Sequence, residues 1–276
     1  MMQTQKAILV KTKRKIFALH SGNHPSIFES RGIDFREIKE YTFGDEIRKI
    51  NWKVTAREQS PYVNRFNEER SLNVLVVFLM SGSIYFGTQK LKQESMAEVL
   101  SALSYATLHQ SDYLSTLFFS DKEEFFHAPT KQMGSLERLL DVALTLNPLS
   151  KIVNYTALNH YIMNRIKRKS LIFVIGDFYG DVDLSAIVAR NEVYAIMVRD
   201  HFEEFPKLQG EHTLIDPSTM RQSSFSLSGS QLKAYAKRLE EQDAHTIAHF
   251  KKHKIKHIKL YTDEEPYEKL FELFRG

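Results

Sequence analysis

Strongly apolar segments that alternate with amphipathic ones, from residue 72 to residue 274, constrain the fold more than any other feature. Residues 72–79 (LNVLVVFL) are nearly all apolar, and residues 171–175 (LIFVI) are entirely so. Such segments are typical of strands that are covered on both faces of a sheet. Residues 90–110 and 135–146 carry apolar side chains at helical spacing. The alternation predicts an α/β protein with a doubly wound, mostly parallel sheet.

The rest of the chain continues the same alternation. We predict further strands at 113–120, 123–129, 192–200 and 255–263, and further helices at 155–169, 183–190, 230–253 and 265–274. The polar stretch 201–227 is assigned no helix or strand, only a turn at residues 216–219. In open α/β sheets, ligands bind at the carboxyl ends of the strands. Functional residues are therefore sought at those ends.

The first 70 residues do not follow this alternation and are predicted to form a separate segment packed on a main domain of residues 71–276. The first 20 residues are interpreted as a helix or an extended arm. Residues 31–45 alternate as a strand, with a bulge predicted between Phe35 and Ile38 where the phase slips. Asp45 is predicted to be the N-cap of a helix that follows.

Composition limits the classes of function. The 276 residues include no cysteine, so disulfides and thiolate chemistry are excluded, and a reducing cytosol fits. The 38 basic and 34 acidic residues leave a net charge of only +4. The longest apolar run is Val74–Met80, seven residues, against roughly 20 for a membrane span. We expect a cytoplasmic protein without a membrane span.

Polar residues follow the two most apolar strands. Ser81 and Ser83 come after the strand 72–79, Asp177 ends the strand 171–175, and Thr156 opens the helix 155–169. If the two strands are neighbours, these side chains converge. Three hydroxyls and one carboxylate are oxygen ligands that suit Mg²⁺ or Mn²⁺. The alternative is that each residue only forms a turn or caps a helix.

The candidate site lacks a carboxylate. Divalent metal sites of this type usually have an acidic residue two positions before the first serine, and here that position is Leu79. Leucine cannot bind a cation. We therefore expect no cofactor, or weakly bound Mg²⁺ only. If binding is absent, Leu79→Asp is expected to create or strengthen it, and a variant that is only destabilised would mean that the geometry of a metal site is absent.

Residues 32–57 (GIDFREIKEYTFGDEIRKINWKVTAR) resemble the signature of the bacterial domain-of-unknown-function 58 family, a block of the form E-F…R-E-Y…G-D-D…R…I-D-W…A-R. Glu46 and Asn51 depart from it where aspartate is usual. The resemblance implies a von Willebrand factor A-like, Rossmann-like domain. It also implies that Ser81, Ser83, Thr156 and Asp177 correspond to the ligands of a metal-ion-dependent adhesion site, and that Leu79 occupies the position of a lost aspartate.

The signature block mixes charges. Residues 31–70 contain nine basic and eight acidic side chains, which argues against a nucleic-acid-binding stripe of one sign. Interleaved charges suit an ion-pair lattice or a protein contact. The candidates for partner binding are Tyr41, Asp45, Arg48, Trp52 and Arg57. Trp52, the only tryptophan, either anchors an interface or fills a seam against the sheet.

The resemblance implies a function in protein assembly. Members of the family are often encoded with MoxR-type AAA ATPases, which implies that the protein partner is such an ATPase or a substrate of that ATPase. Because the sequence contains no nucleophile elbow, Walker loop or H-E-x-x-H motif, we expect a non-enzymatic module. Two alternatives remain open. A metal on the four oxygen ligands would support phosphodiesterase or nuclease chemistry, and the lysines of residues 251–259 would support weak nucleic-acid binding.

Overall fold

The computed structural model describes residues 2–21, 35–58, 60–66, 71–208 and 210–275. The chain divides into two compact units, Met1–Phe28 with Leu72–Gly276 and Glu29–Ser71. The first helix therefore belongs to the main unit and is separate from the signature segment with which the sequence groups it. None of the helices in the described ranges is long and apolar enough to cross a bilayer.

The secondary structure elements are numbered in chain order. The helices are α1 Met2–Ser21, α2 Trp52–Glu58, α3 Lys92–His109, α4 Ser135–Thr145, α5 Tyr155–Arg165, α6 Ser185–Val188, α7 His201–Glu204, α8 Gly229–Lys252 and α9 Pro266–Arg275. The strands are β1 Phe35–Glu40, β2 Tyr62–Phe66, β3 Asn73–Leu79, β4 Tyr113–Phe119, β5 Glu123–Thr130, β6 Leu171–Gly176, β7 Glu192–Arg199, β8 Gly210–Ile215, β9 Gln222–Leu227 and β10 Lys256–Tyr261.

The main unit is built on a six-stranded sheet with the order β10-β7-β6-β3-β4-β5. All neighbouring pairs are parallel except β4 and β5, which are antiparallel. The predicted α/β class with a mostly parallel sheet is confirmed. Strand β3 pairs with both β4 and β6, so the carboxyl ends of the two most apolar strands lie side by side.

Helices flank this sheet because its central strands, β3 and β6, are apolar at nearly every position. In β3 the residues Val74, Val76 and Phe78 belong to a buried cluster that also contains residues of α1, α3, α4 and α9. The intervening Leu75, Val77 and Leu79 belong to a second cluster with residues of α5, α6 and α8. The period of two in a strand sends alternate side chains to opposite faces, so β3 contributes to both clusters.

The stretch 201–227, to which the sequence assigns only a turn, contains α7 and the antiparallel pair β8–β9. Most side chains of the two strands are exposed. Because most positions of the two strands are exposed, they are occupied by polar residues such as serine, threonine and glutamine. The alternation of apolar and polar residues that predicts a strand is therefore missing. The predicted turn at 216–219 joins the two strands.

The signature unit contains β1, a 3₁₀ turn at Ile47–Lys49, α2 and β2. Strands β1 and β2 are antiparallel, and their register shifts between Phe35 and Glu37, which confirms the predicted bulge. Residues 31–34 of the predicted strand lie outside the described residues. The prediction for Asp45 was wrong. Its carboxylate accepts hydrogen bonds from the backbone nitrogen and the hydroxyl of Thr42, at 2.9 and 2.8 Å, and so closes a turn.

Candidate functional site

Three of the four predicted site residues meet at the carboxyl ends of β3 and β6. The hydroxyl oxygens of Ser81 and Ser83 are 2.9 Å apart. Ser81 donates a hydrogen bond to Oδ1 of Asp177 at 3.2 Å. The convergence follows from the parallel pairing of β3 with β6, because Asp177 directly follows β6 and Ser81 is the second residue after β3.

Thr156 is placed differently. It is an exposed residue in the first turn of α5. The cap of this helix is Asn154, whose side chain accepts a hydrogen bond from the backbone nitrogen of Ala157 at 2.9 Å. The preceding residue, Tyr155, is the buried one, and its hydroxyl has no hydrogen-bond partner among the described residues. Burial and the charge of Asp177 raise the pKa of Tyr155 well above its usual value. A ligand role for Thr156 stays a prediction.

Leu79 fills its position with hydrocarbon. Its side chain is fully buried in the cluster that includes Phe178 and Ile187. It also packs directly over Gly176, since a β-carbon built on that glycine would lie 2.7 Å from Cδ1 of Leu79. The leucine side chain therefore occupies the space beside Gly176.

A lysine that the sequence reasoning missed contacts the site. Lys92 is the first residue of α3 and is fully buried. Its Nζ atom is 3.2 Å from Oδ2 of Asp177 and 2.5 Å from Oε1 of Glu203. The helix dipole disfavours a positive charge at a helix N-terminus, and burial removes the hydration of the ammonium. The two carboxylates compensate for both unfavourable effects.

Arg199, at the end of β7, is the second buried cation. Its guanidinium donates to the backbone carbonyl of Asp177 and, at 2.5 Å, to Oδ1 of Asp243. The ring of Tyr179 lies close to both cations, with its centroid 5.1 Å from Nζ of Lys92 and 4.3 Å from Cζ of Arg199. Both contacts are within the range of cation–π attraction.

The charge state of Asp177 follows from these contacts. Burial opposes its ionisation, but the charges of Lys92 and Arg199 and hydrogen bonds from Ser83 and Lys92 outweigh burial and hold the pKa of Asp177 below its usual value. Asp177 is therefore a carboxylate whose two oxygens already accept bonds from Ser81 and Lys92. A buried charge is stable only with such partners.

The ion pairs continue along the sheet edge. Lys259 bonds Asp243 and Glu204, both at 2.7 Å, and the hydroxyl of Tyr261 donates to Glu204 at 2.8 Å. In the sequence, this network is indicated by the motif VRDHFEE, residues 198–204. The motif places Arg199 at the end of β7 and Glu203 in the following helix, α7.

These residues do not fit a divalent cation. Mg²⁺ sites typically offer one or two carboxylates with room for several waters. The only carboxylate among the predicted ligands is Asp177, and the charges of Lys92 and Arg199 already stabilise its ionised form. No cluster of three or more acidic or histidine side chains that could hold a metal occurs among the described residues.

The loop that carries the serines is also covered by the chain itself. A β-carbon on Gly82 would lie 2.2 Å from the backbone oxygen of Pro217, in the turn between β8 and β9. The same oxygen accepts a hydrogen bond from the backbone nitrogen of Ser150 at 2.9 Å. Glycine is therefore required at position 82 because the hairpin turn rests on it.

The partner-binding candidates lie in the signature unit. Trp52 is 69% exposed and Ile47 is 66% exposed, while Phe43 is fully exposed. Arg48 and Arg57 are exposed as well. The side chain of Asn51 accepts a hydrogen bond from the backbone nitrogen of Val54 at 3.2 Å. Asparagine thus preserves the helix cap that aspartate would make at this position.

Tyr41 and Asp45 hold the segment together. The backbone nitrogen of Tyr41 donates to Pro61 at 2.7 Å, and its side chain is half-buried. The hydrogen bonds from Lys39 and Thr42 lower the pKa of Asp45 to about 2. The turn around Asp45 is a local scaffold for the exposed side chains that follow it.

Comparison with known proteins identifies relatives. The family model described as "Protein of unknown function DUF58" matches residues 37–245. The uncharacterized proteins Rv1480 of Mycobacterium tuberculosis and Mb1516 of Mycobacterium bovis are each 27% identical over 195 residues. Each alignment covers 68% of this chain and only 62% of the relative's length.

Solved structures resemble the chain more distantly. The BatB protein of Bacteroides thetaiotaomicron aligns with a TM-score of 0.46 at 12% identity, covering 74% of this chain and 98% of that one. An aerotolerance-related membrane protein of Bacteroides fragilis gives the same TM-score, 0.46, at 13% identity, covering 74% of this chain and 99% of that one.

Proposed function

Because the chain belongs to the DUF58 family of proteins of unknown function, we propose that it is a non-enzymatic protein-interaction module. It works with a MoxR-type AAA ATPase in the assembly or activation of other proteins. The proposal includes a doubly wound, von Willebrand A-like fold whose adhesion-type metal site is degenerate. It also includes a cytoplasmic location, in keeping with an ATP-consuming partner and a chain without cysteine.

The observation that carries the proposal is the exposure of Phe43, Ile47 and Trp52 on one short segment of the signature unit. Fully burying a large apolar side chain is worth about 1.5–3 kcal/mol, and this segment leaves three such side chains exposed. Exposed arginines lie on the same segment, at positions 48 and 57. Tryptophan and arginine are the residue types most enriched at binding hot spots.

The state of the strand-end site supports a binding role over catalysis. General acid or base catalysis needs a group whose pKa lies near the working pH. The pKa of Asp177 is held below its usual value, and its oxygens are engaged by Ser81 and Lys92. The site is built as a structural ion-pair network.

The test is a pull-down in which the purified chain is immobilised and the retention of a purified MoxR-type ATPase from the same host is measured in ATP and in ADP. We expect retention in ATP and its loss in Trp52→Ala. The matched control is Tyr113→Ala, an aromatic residue of the main unit that is 38% exposed at the first position of β4.

Two results would contradict the proposal. One is retention that is equal in wild type and Trp52→Ala. The other is hydrolysis of a phosphodiester such as bis-p-nitrophenyl phosphate that Asp177→Ala abolishes. Salt-sensitive retention on DNA or RNA instead of the ATPase would favour the nucleic-acid alternative.

A further inference from the structure

The buried Lys92 donates a hydrogen bond to Asp177, which is the only carboxylate among the predicted metal ligands. Ser81, which is hydrogen-bonded to Ser83, donates to one oxygen of Asp177, and the Lys92 ammonium donates to the other. The side chain of Lys92 is inaccessible to solvent, and that of Asp177 almost so. A cation is therefore built into the site as a side chain.

The surroundings of this lysine are those of a bound cation. An ammonium has three donors and no acceptor. Here it faces oxygens of Asp177 and Glu203, at 3.2 and 2.5 Å, and the ring of Tyr179. Glu203 is fixed in turn, because its second oxygen accepts a bond from the backbone nitrogen of Asp200 at 3.0 Å.

We infer that the Lys92 ammonium replaces the divalent cation of an adhesion-type site and locks the carboxyl edge of the sheet without metal. The ammonium joins the end of β6 through Asp177 to α7 through Glu203. The apolar side chain at Leu79 fits the same arrangement. With the charge of Asp177 already compensated, a second carboxylate would be buried without a cation to pair with.

This inference deepens the degenerate site of the proposed function and does not depend on the ATPase partner. It predicts that the wild-type chain does not respond to divalent cations. Removing the ammonium while keeping a small polar side chain, in Lys92→Ser, frees Asp177. A divalent cation then restores the stability that the substitution removes, because a ligand that binds only the folded state raises the melting temperature.

The experiment is a MnCl₂ titration of the full chain, read by melting temperature and by loss of the free Mn²⁺ electron paramagnetic resonance signal. We expect no saturable response in wild type and a saturable rise of several degrees in Lys92→Ser, with bound Mn²⁺. The double variant Lys92→Ser/Asp177→Asn is the control and is expected to lose the response. Co-purification with the ATPase tests the proposed function separately.

Three outcomes would overturn the inference. One is Mn²⁺ binding by wild type that Asp177→Asn abolishes, and another is a folded Lys92→Ser chain that ignores Mn²⁺. The third outcome concerns the acetylation of Lys92 in the wild-type chain, which can be measured even if Lys92→Ser fails to fold. Peptide-resolved acetylation of native wild type is expected to modify Lys92 last among the lysines, and modification at the rate of exposed Lys237 would contradict the buried ion pair.

Discussion

The Nζ atom of Lys92 lies 2.5 Å from Oε1 of Glu203, although the two residues are 111 positions apart and both side chains are buried. The contact joins the start of α3 to α7. Together with the bond from Lys92 to Asp177, it makes one side chain connect α7 to the residue that follows β6.

Breaking this contact is expected to destabilise the fold strongly. Lys92→Met keeps the length of the side chain and removes its charge, which leaves Asp177 and Glu203 buried without their cation. Removing one partner of a buried pair costs about 3–5 kcal/mol, measured here as the free energy of unfolding in urea. Lys237→Met is the matched control, because Lys237 is exposed and its pair with Glu241 spans 3.8 Å. A loss below about 1 kcal/mol in Lys92→Met, within the range of surface pairs, would contradict the role of Lys92.

Introducing a carboxylate at position 79 is not expected to create a metal site. The sequence alone predicts that Leu79→Asp creates a metal site. The structure predicts that it lowers the free energy of unfolding by several kcal/mol, because it buries a charge among apolar side chains. Urea melts with and without excess MgCl₂ measure both effects. Leu79→Asn, which has nearly the same shape without the charge, serves as the control. Recovery of wild-type stability by Mg²⁺ in Leu79→Asp alone would show that Lys92 does not block the site.

Substitution of Gly82 is expected to loosen the hairpin that covers the serine loop. In Gly82→Ala the new methyl group would overlap the backbone of Pro217, and overpacking of this kind costs about 1–3 kcal/mol. We expect faster amide hydrogen exchange across β8 and β9. Gly134→Ala is the control, since nothing lies within 4 Å of the added carbon there. Unchanged exchange in β8 and β9 would mean that the turn does not rest on Gly82.

The stability of the chain is expected to fall in mild acid through His249. Its Nε2 atom accepts a hydrogen bond from the backbone nitrogen of Leu184 at 3.0 Å, which requires the neutral ring. Burial and the charge of His253 lower the pKa of His249 below its usual value of 6.5, despite the opposing charge of Asp183. Between the lowered pKa of the folded chain and 6.5, the unfolded chain therefore binds more protons than the folded chain. The free energy of unfolding consequently decreases as the pH falls below 6.5.

His249→Gln isolates this effect, because its carbonyl oxygen can accept the same hydrogen bond and does not titrate. The comparison is the free energy of unfolding of wild type and variant between pH 5 and 7.5, near the titration range of histidine. We expect a shallower pH dependence in the variant. Parallel curves for the two proteins would rule out a contribution from His249.

The sequence could predict the meeting of Ser81 and Asp177 because both follow apolar strands that pair in parallel. It could not predict which residue of α5 faces inward. That depends on the rotation of the helix, which buries Tyr155 and exposes Thr156. The burial of Lys92 could not be predicted for a different reason, because a lysine at the start of an amphipathic helix is normally exposed to solvent. Only the tertiary structure brings Glu203 and Asp177 to it.

The signature unit shows the same division. The bulge in β1 could be predicted because a slip in apolar phase is a local property. The exposure of Trp52 could not, since a lone tryptophan beside arginines suits a buried seam as well as an interface. The structure leaves its ring exposed, and this favours the interface.

The affinity of the chain for the MoxR-type ATPase, measured by calorimetric titration for wild type, Trp52→Ala and Tyr113→Ala, tests the central claim most directly. Truncating a hot-spot residue costs about 2 kcal/mol or more, so we expect Trp52→Ala to weaken binding by at least about tenfold, with an unchanged melting temperature. Tyr113→Ala is expected to bind as wild type does. Equal affinity of Trp52→Ala and wild type, or no heat of binding with wild type, would contradict a docking role for the signature segment.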